Sequence, residues 1–244
     1  MGFTFKNFGI ASAASDTCNV TLTGTSVSAG DLIVAWCGWA QTESGSSFTD
    51  SGGSTFLGAG INTGGPWTDV NGQFIYCLSS VATGLPTYTL TKTGTLFPMF
   101  YVFVYTPTAT PVLDQQIYSA GLGGAGSTSP DSGSITTTGS DELVVGGLLA
   151  ENDANPVTAY AVGGVGAGPQ IASFQASAFT IGMWSGTTTG TVNATATLNL
   201  SEKWLSNAIS FKISGGGGGG GQAIYISSQG IPVRGAARTR VIYG

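Results

Sequence analysis

The feature that most narrows what this chain can fold into is an apolar run that occurs twice. Gly30-Asp31-Leu32-Ile33-Val34-Ala35-Trp36-Cys37-Gly38-Trp39-Ala40 is echoed by Ser140-Asp141-Glu142-Leu143-Val144-Val145-Gly146-Gly147-Leu148-Leu149-Ala150. Each reads as a turn residue, an acid, and then a strand apolar on both faces, as a strand buried on both sides should be. A Thr/Ser-rich alternating stretch precedes each, at residues 19–23 and 133–138. Further on, strand-like runs at 74–78, 88–91 and 99–105 are matched in order by runs at 179–184, 192–198 and 204–211, at an offset of roughly 105 to 111 residues. Four strand candidates repeating in order predict a duplicated unit of four or five strands. Each unit alone would leave edges unpaired, so both are expected in one sandwich.

Composition supports sheet over helix. Only 8% of the 244 residues are charged, and the polarity comes from Thr, Ser, Asn and Gly instead. Thr, Val, Ile and the aromatic residues suit a pleated, half-buried surface, and the frequent Gly and Pro punctuate it at short intervals. With 41% hydrophobic and 10% aromatic residues, the body carries enough apolar area to fold. Val192, Ala194, Ala196 and Leu198 alternate with Asn193, Thr195, Thr197 and Asn199, the period of a sheet with one face buried. The expected class is an all-β, jelly-roll-like or Greek-key sandwich built by internal duplication. Residues 1–214 form this body, its repeat halves at about 17–106 and 131–213, and the Gly/Ser-rich stretches 44–55 and 122–133 are read as exposed end loops.

Seven consecutive glycines, 215–221, then end the body, because such a run has no side chain to pack. The segment 222–244 changes character. The body holds all twelve acids and four lysines, a balance of −8, whereas the segment holds three arginines and no acid, a balance of +3. Its Ile224, Tyr225 and Ile226, and its Val241, Ile242 and Tyr243, alternate as short strands do, with Pro232 between them and Arg234, Arg238 and Arg240 in the second piece. These nine apolar and basic residues are the candidate partner anchor, with addition of a strand to a neighbour's sheet as the expected mode. Three arginines release too few counterions to make nucleic acid the expected partner.

On those features, the echoed runs at 30–40 and 140–150 followed by a glycine linker and anchor, the chain resembles phage structural proteins of the head-fibre, decoration or tail-appendage kind. The resemblance implies a virion-surface role with other virion proteins as partners. It also implies a homo-oligomer, a trimer being favoured, with the terminal peptide docked on the particle. The start, Met1 to Asn7, has no apolar core of a secretory signal and no run of eighteen apolar residues occurs, so synthesis in a host cytoplasm and no membrane insertion are expected.

Chemistry has little to work with. There is no histidine, which removes Ser-His-Asp and Cys-His nucleophile arrangements and most zinc sites. The carboxylates Asp50, Asp69, Asp114, Glu151 and Asp153 show no spacing that brings two to a common face, so no catalytic residue, cofactor or metal ligand is expected. Glu151-Asn152-Asp153-Ala154-Asn155 offers hard oxygens but reads as a polar loop, and Asp31 and Asp141 read as turn formers. Gly121-Leu122-Gly123-Gly124-Ala125-Gly126 lacks the βαβ context of a dinucleotide site. Trp67, in a Gly/Pro-rich stretch, is the candidate glycan contact, and it sustains a carbohydrate-binding adhesin on a cell-surface glycan as the alternative function. An extracellular filament subunit is the third. Cys18, Cys37 and Cys77 allow one disulfide and require none.

Overall fold

A computed structural model of the chain describes residues 2–13, 15–40, 46–62, 70–92, 98–120, 126–151, 157–166, 174–176 and 179–214. The described residues contain strands and no helix, as the composition predicts. In the first half these are β1 (Phe3–Ser12), β2 (Thr17–Thr21), β3 (Leu32–Ala40), β4 (Ser46–Asp50), β5 (Leu57–Asn62), β6 (Val70–Cys77), β7 (Thr87–Lys92) and β8 (Met99–Pro107). The second half has β9 (Pro111–Ala120), β10 (Asp131–Thr136), β11 (Glu142–Ala150), β12 (Val157–Val162), β13 (Val165–Gly166), β14 (Phe174–Ala176), β15 (Phe179–Thr188), β16 (Thr191–Leu198) and β17 (Trp204–Ile213).

All pairings are antiparallel and make four sheets. The first half pairs its own strands into a five-stranded sheet, β1-β8-β3-β6-β5, and a three-stranded one, β2-β7-β4. The second half gives β9-β17-β11-β15-β14 and β10-β16-β12-β13. The two strand orders are the same, position for position, apart from the added β13. Within each half the pairing is nested. First strand pairs with last, second with second-to-last, third with third-to-last, as in one long hairpin rolled up. The layering is therefore richer than one sandwich shared by both halves. Each half is a sandwich of its own, and the two five-stranded sheets stack back to back in the middle.

Three cores follow from this layering. The outer core of the first half gathers Ile33, Ala35, Cys37 and Trp39 of β3 with Tyr88 and Leu90 of β7. That of the second gathers Val144, Leu148, Trp184, Ala194, Ala196 and Leu198. Between the halves, Leu32, Val34 and Trp36 of β3 join Leu143, Val145 and Leu149 of β11, with Phe74, Tyr101, Phe103, Tyr105, Leu205, Ile209 and Phe211 around them. This is why β3, β8 and β11 are apolar on both faces: successive buried residues, Leu32 to Cys37 of β3 and Met99 to Tyr105 of β8 among them, alternate between the middle core and an outer one. Each such large side chain contributes about 1.5–3 kcal/mol when removed from water. Trp36 and Trp39, three apart on one strand, face opposite sides, and both are buried.

Facing residues set the register of the halves more sharply than the sequence echo does. Matching Asp31 with Asp141 gives an offset of 110, yet the residues of β3 that face the middle are even-numbered and those of β11 odd-numbered. Leu32 thus corresponds to Leu143 and Trp36 to Gly147, an offset one residue longer. A one-residue slip turns every side chain to the opposite face, so burial decides the matter. Several strands escape the sequence reading, β5, β12, β13 and β14 among them, and two further omissions shape the central sheets. β1 lies in the N-terminal stretch, and β9 in what read as a connection between halves; both close the central sheets at one edge. The stretch 44–55, expected as an exposed loop, contains β4, and 122–133 runs into β10.

Candidate attachment site

The stacked halves run parallel, because Trp36 faces Gly147 and Gly38 faces Leu149. All connections of one kind therefore gather at one end. Gly2 lies beside Ile213 and the carbonyl of Asp141, the Thr108 N–H donates to the Gly2 carbonyl at 2.9 Å, and the Ser214 N–H donates to the Thr110 carbonyl at 2.8 Å. The start of the body, its last strand and the crossover between halves so share one pole. We call it the base. At the opposite pole are the ends of β1, β3, β9 and β11 and the beginnings of β6, β8, β15 and β17.

At the base a hollow of about 220 Å³ is lined by Gly30, Ser79, Pro107, Ala109, Thr110 and Pro111. No charged side chain lines it. Around this pole the protein also leaves three large apolar side chains in solvent: Leu57 at the start of β5, and Val81 and Leu85 in the β6–β7 connection, exposed by 48%, 61% and 46%. The loops that carry them are held firmly. Ser54 Oγ accepts from the N–H groups of Val81 and Ala82, Asp50 Oδ1 accepts from those of Gly52 and Ser54, and Val27 and Gly84 exchange backbone bonds.

Two charge clusters brace the base, one per half, at corresponding places. In the first, Lys6 sits in the bulge of β1 and its Nζ is 2.8 Å from Asp31 Oδ2. Asp31, nearly fully buried, also accepts from the Ser28 N–H and the Thr106 hydroxyl. In the second half the corresponding bulge residue is Asp114, the counterpart of Asp31 is Glu142, and that of Thr106 is Lys212. The cation has changed strands. Lys212 Nζ lies 2.6 Å from Asp114 Oδ1, Thr138 donates to Asp114 through both its N–H and its hydroxyl, and the Gly139 N–H donates to Glu142.

This second cluster has one carboxyl more than it has cations. Burial raises Asp114, but Lys212 and Thr138 outweigh it and hold the carboxyl below its usual range. Burial and the neighbouring Asp114 push Glu142 above its own, against the opposing bond from Gly139. The pair is closed to substrate, with Glu142 fully buried and Asp114 capped by Lys212. The sequence reading missed Glu142, which looks like the first residue of an apolar strand. Only its place after a second acid, Asp141, hinted at it.

The other residues singled out from sequence fall apart in space. Asp50 caps a turn through Gly52 and Ser54. Glu151, at the opposite pole, is exposed and 3.9 Å from Lys203. There too Lys92 Nζ lies 3.7 Å over the Trp39 ring. Trp67, Asp69 and Asp153, and the anchor residues Ile224, Tyr225, Ile226, Arg234, Arg238, Arg240, Val241, Ile242 and Tyr243, lie outside the described residues. Among the described residues no group of three or more His, Cys, Asp or Glu is placed to hold a metal ion. Cys18, Cys37 and Cys77 are all free and buried.

No protein-family model, no curated protein and no solved structure matches this chain.

Proposed function

We propose that this chain is a non-enzymatic virion structural protein, a capsid decoration, head fibre or tail appendage, docked on the particle through residues 222–244. The single observation that carries the reading is polarity: the last described strand leaves the body at Ser214, beside the hollow and at the same pole as exposed Leu57, Val81 and Leu85. A segment anchored from there turns the base toward the particle and the opposite pole outward. The nested pairing in each half is also that of a jelly roll whose fifth strand has moved to the edge of the other sheet, an architecture that viral capsid and lectin domains share. That is analogy of fold, and it supports the class of protein rather than the site.

The test is truncation. A chain ending at Ser214 is expected to stay folded and soluble by circular dichroism and size exclusion, yet to vanish from purified particles on co-sedimentation. Equal incorporation of full-length and truncated chains sinks the anchoring idea.

The glycan reading has one observation in its favour. Asn62 and Val70, the described residues that bracket Trp67, are at the pole facing away from the anchor. A glycan array comparing the natural chain with Trp67→Ala decides it: binding lost on substitution promotes the adhesin function, and no binding by the natural chain removes it.

A further inference from the structure

We infer that the acid cluster of the second half is a self-modification site, at which Lys212 Nζ forms an amide with the Asp114 side chain and joins the last strand of the body covalently to β9. The bond is argued from the cluster alone and does not depend on the attachment reading.

The fold brings the three groups of such a reaction into one row across adjacent strands. β17 lies between β11 and β9. On β11, Glu142 comes one place before Leu143, the partner of Phe211, and so stands beside Lys212. On β9, Asp114 is the residue that the bulge leaves unpaired, between the Leu113–Phe211 and Gln115–Ser210 pairs. A bulge re-aims the side chain of its extra residue, and here Asp114 Oδ1 is 2.6 Å from Lys212 Nζ. The Asp114 side chain is 3% exposed and Glu142 is fully buried, so bulk water is kept from the carboxyl. Amines and carboxylic acids do not condense in dilute solution, but groups held in reacting contact reach effective molarities of about 10⁵ M or more.

Each proton has a path. Thr138 Oγ1 accepts from Nζ and donates to Asp114 Oδ1, so it passes a proton from the amine to the carboxyl. The transfer leaves a neutral amine, whose lone pair attacks Cγ. The Thr138 N–H donates to Oδ2 at 3.0 Å and steadies the negative charge that gathers there. A second proton follows from nitrogen to Oδ1, the Cγ–Oδ1 bond breaks, and one water leaves as the Nζ–Cγ amide forms. Ammonium and carboxylate have become amide and water, with no oxidant or cofactor consumed. Glu142 is the acid beside the reacting carboxyl. Its Oε1 accepts from the Gly139 N–H, while Oε2 is buried with no donor, as suits a carboxyl that keeps its own proton. Burial and the contact with Asp114 both favour that proton. Protonated Glu142 hydrogen-bonds to Asp114, draws electron density from Cγ, and ends the reaction as it began.

The first half carries the control. The corresponding places there hold Lys6, Asp31 and Thr106, so a cation and one acid meet at 2.8 Å without a second acid, and that pair stays an ion pair. In the second half the ion pair is the state of the newly folded chain, and the bond accumulates from it. Lys212 stands two residues before Ser214, so on the attachment reading a load on the C-terminal segment meets the bond before it reaches the hydrogen bonds of β17.

The test is the mass of the full-length chain, taken in denaturant after the folded protein has stood at neutral pH. The natural chain is expected to be lighter than its sequence by one water. Lys212→Arg, which keeps the charge and removes the nucleophile, is expected to show its full mass. Trypsin digestion and fragmentation are expected to place residues 114 and 212 in one branched peptide, with no cleavage after Lys212. Glu142→Gln is expected to lose the water at least about tenfold more slowly. A natural chain that keeps its full mass overturns the inference, whether or not any variant folds. So does a lost water mapped to Lys6 and Asp31, or to an aspartyl imide. Linkage at the natural rate in Glu142→Gln overturns it too, since the acid is what sets this pair apart from that of the first half. None of these readings involves a particle, so failed incorporation leaves them untouched.

Discussion

Trp36 and Gly147 hold corresponding places in the two halves and meet across the middle of the molecule. The indole lies so close that a Cβ on Gly147 would overlap its nearest ring carbon, while its Nε1 donates to the Leu148 carbonyl at 3.1 Å. The relation is reciprocal two residues on, where Gly38 makes room for Leu149. One half supplies a ring where the other supplies a gap, so the two central sheets approach closely there. Gly147→Ala is expected to destabilise by about 1–3 kcal/mol through overpacking, read from urea unfolding. Because the clash is with Trp36, a double-mutant cycle with Trp36→Phe should return a coupling of at least about 0.5 kcal/mol; strict additivity would show that the sheets separate freely.

The acid pair at the base makes stability depend on pH in two opposed ways. Glu142 has a raised value in the folded protein, so its contribution is present at low pH and is lost as pH rises through that value. Asp114 has a lowered one, so its contribution is present above the unfolded value and lost as pH falls through the folded one. Glu142→Gln keeps the shape and removes the second negative charge. Its melting temperature is expected to decline less between pH 5 and pH 9 than that of the natural chain, and parallel curves would exclude a strained ionised pair.

Gly30 and Asp141 are counterparts that both adopt the left-handed backbone, with φ of 91° and 55°. Asp141 is the one described residue other than glycine to do so. Glycine enters that region without steric cost whereas a side chain does not. Gly30→Ala is therefore expected to cost about 1 kcal/mol or more, and Asp141→Gly to be neutral or to stabilise by up to about 1 kcal/mol, both by chemical denaturation.

The three thiols should be silent in the folded state. Burial pushes Cys18 up to about 12 and raises Cys37 and Cys77 as well, and it is the thiolate that reacts. A thiol reagent at pH 8 is expected to find no cysteine in the native protein and three after unfolding in guanidinium. Fewer than three after unfolding would reveal a disulfide.

Particular strands explain what was legible in the sequence. β16 reads correctly because Val192, Ala194, Ala196 and Leu198 alternate with polar residues, and β3, β8 and β11 read as doubly buried because both their faces are apolar. β9 did not, since its edge position leaves Asp114, Gln115 and Gln116 in the middle of an apolar run. The fourfold layering was hidden for a related reason: apolar faces announce burial without naming what covers them. The base was less legible still. Its hollow is built from Gly30, Ser79, Pro107, Ala109, Thr110 and Pro111, residues far apart in the chain that meet only after the first half has closed against the crossover, and its acid pair joins residues from β9 and the start of β11.

The nested pairing also dictates a timetable for the growing chain. β1 finds its partner only when β8 exists, about a hundred residues later, so neither half can zip up progressively and both depend on slow, long-range closure. The first half has all its strands once Pro107 has emerged from the ribosome, but its inner sheet then presents Trp36, Phe74, Tyr101 and Phe103 to water until β17 arrives to cover them. During that interval this apolar face lies bare. The crossover of three residues between β8 and β9 shortens the search for the cover, since the second half begins its synthesis already held against the sheet it must bury.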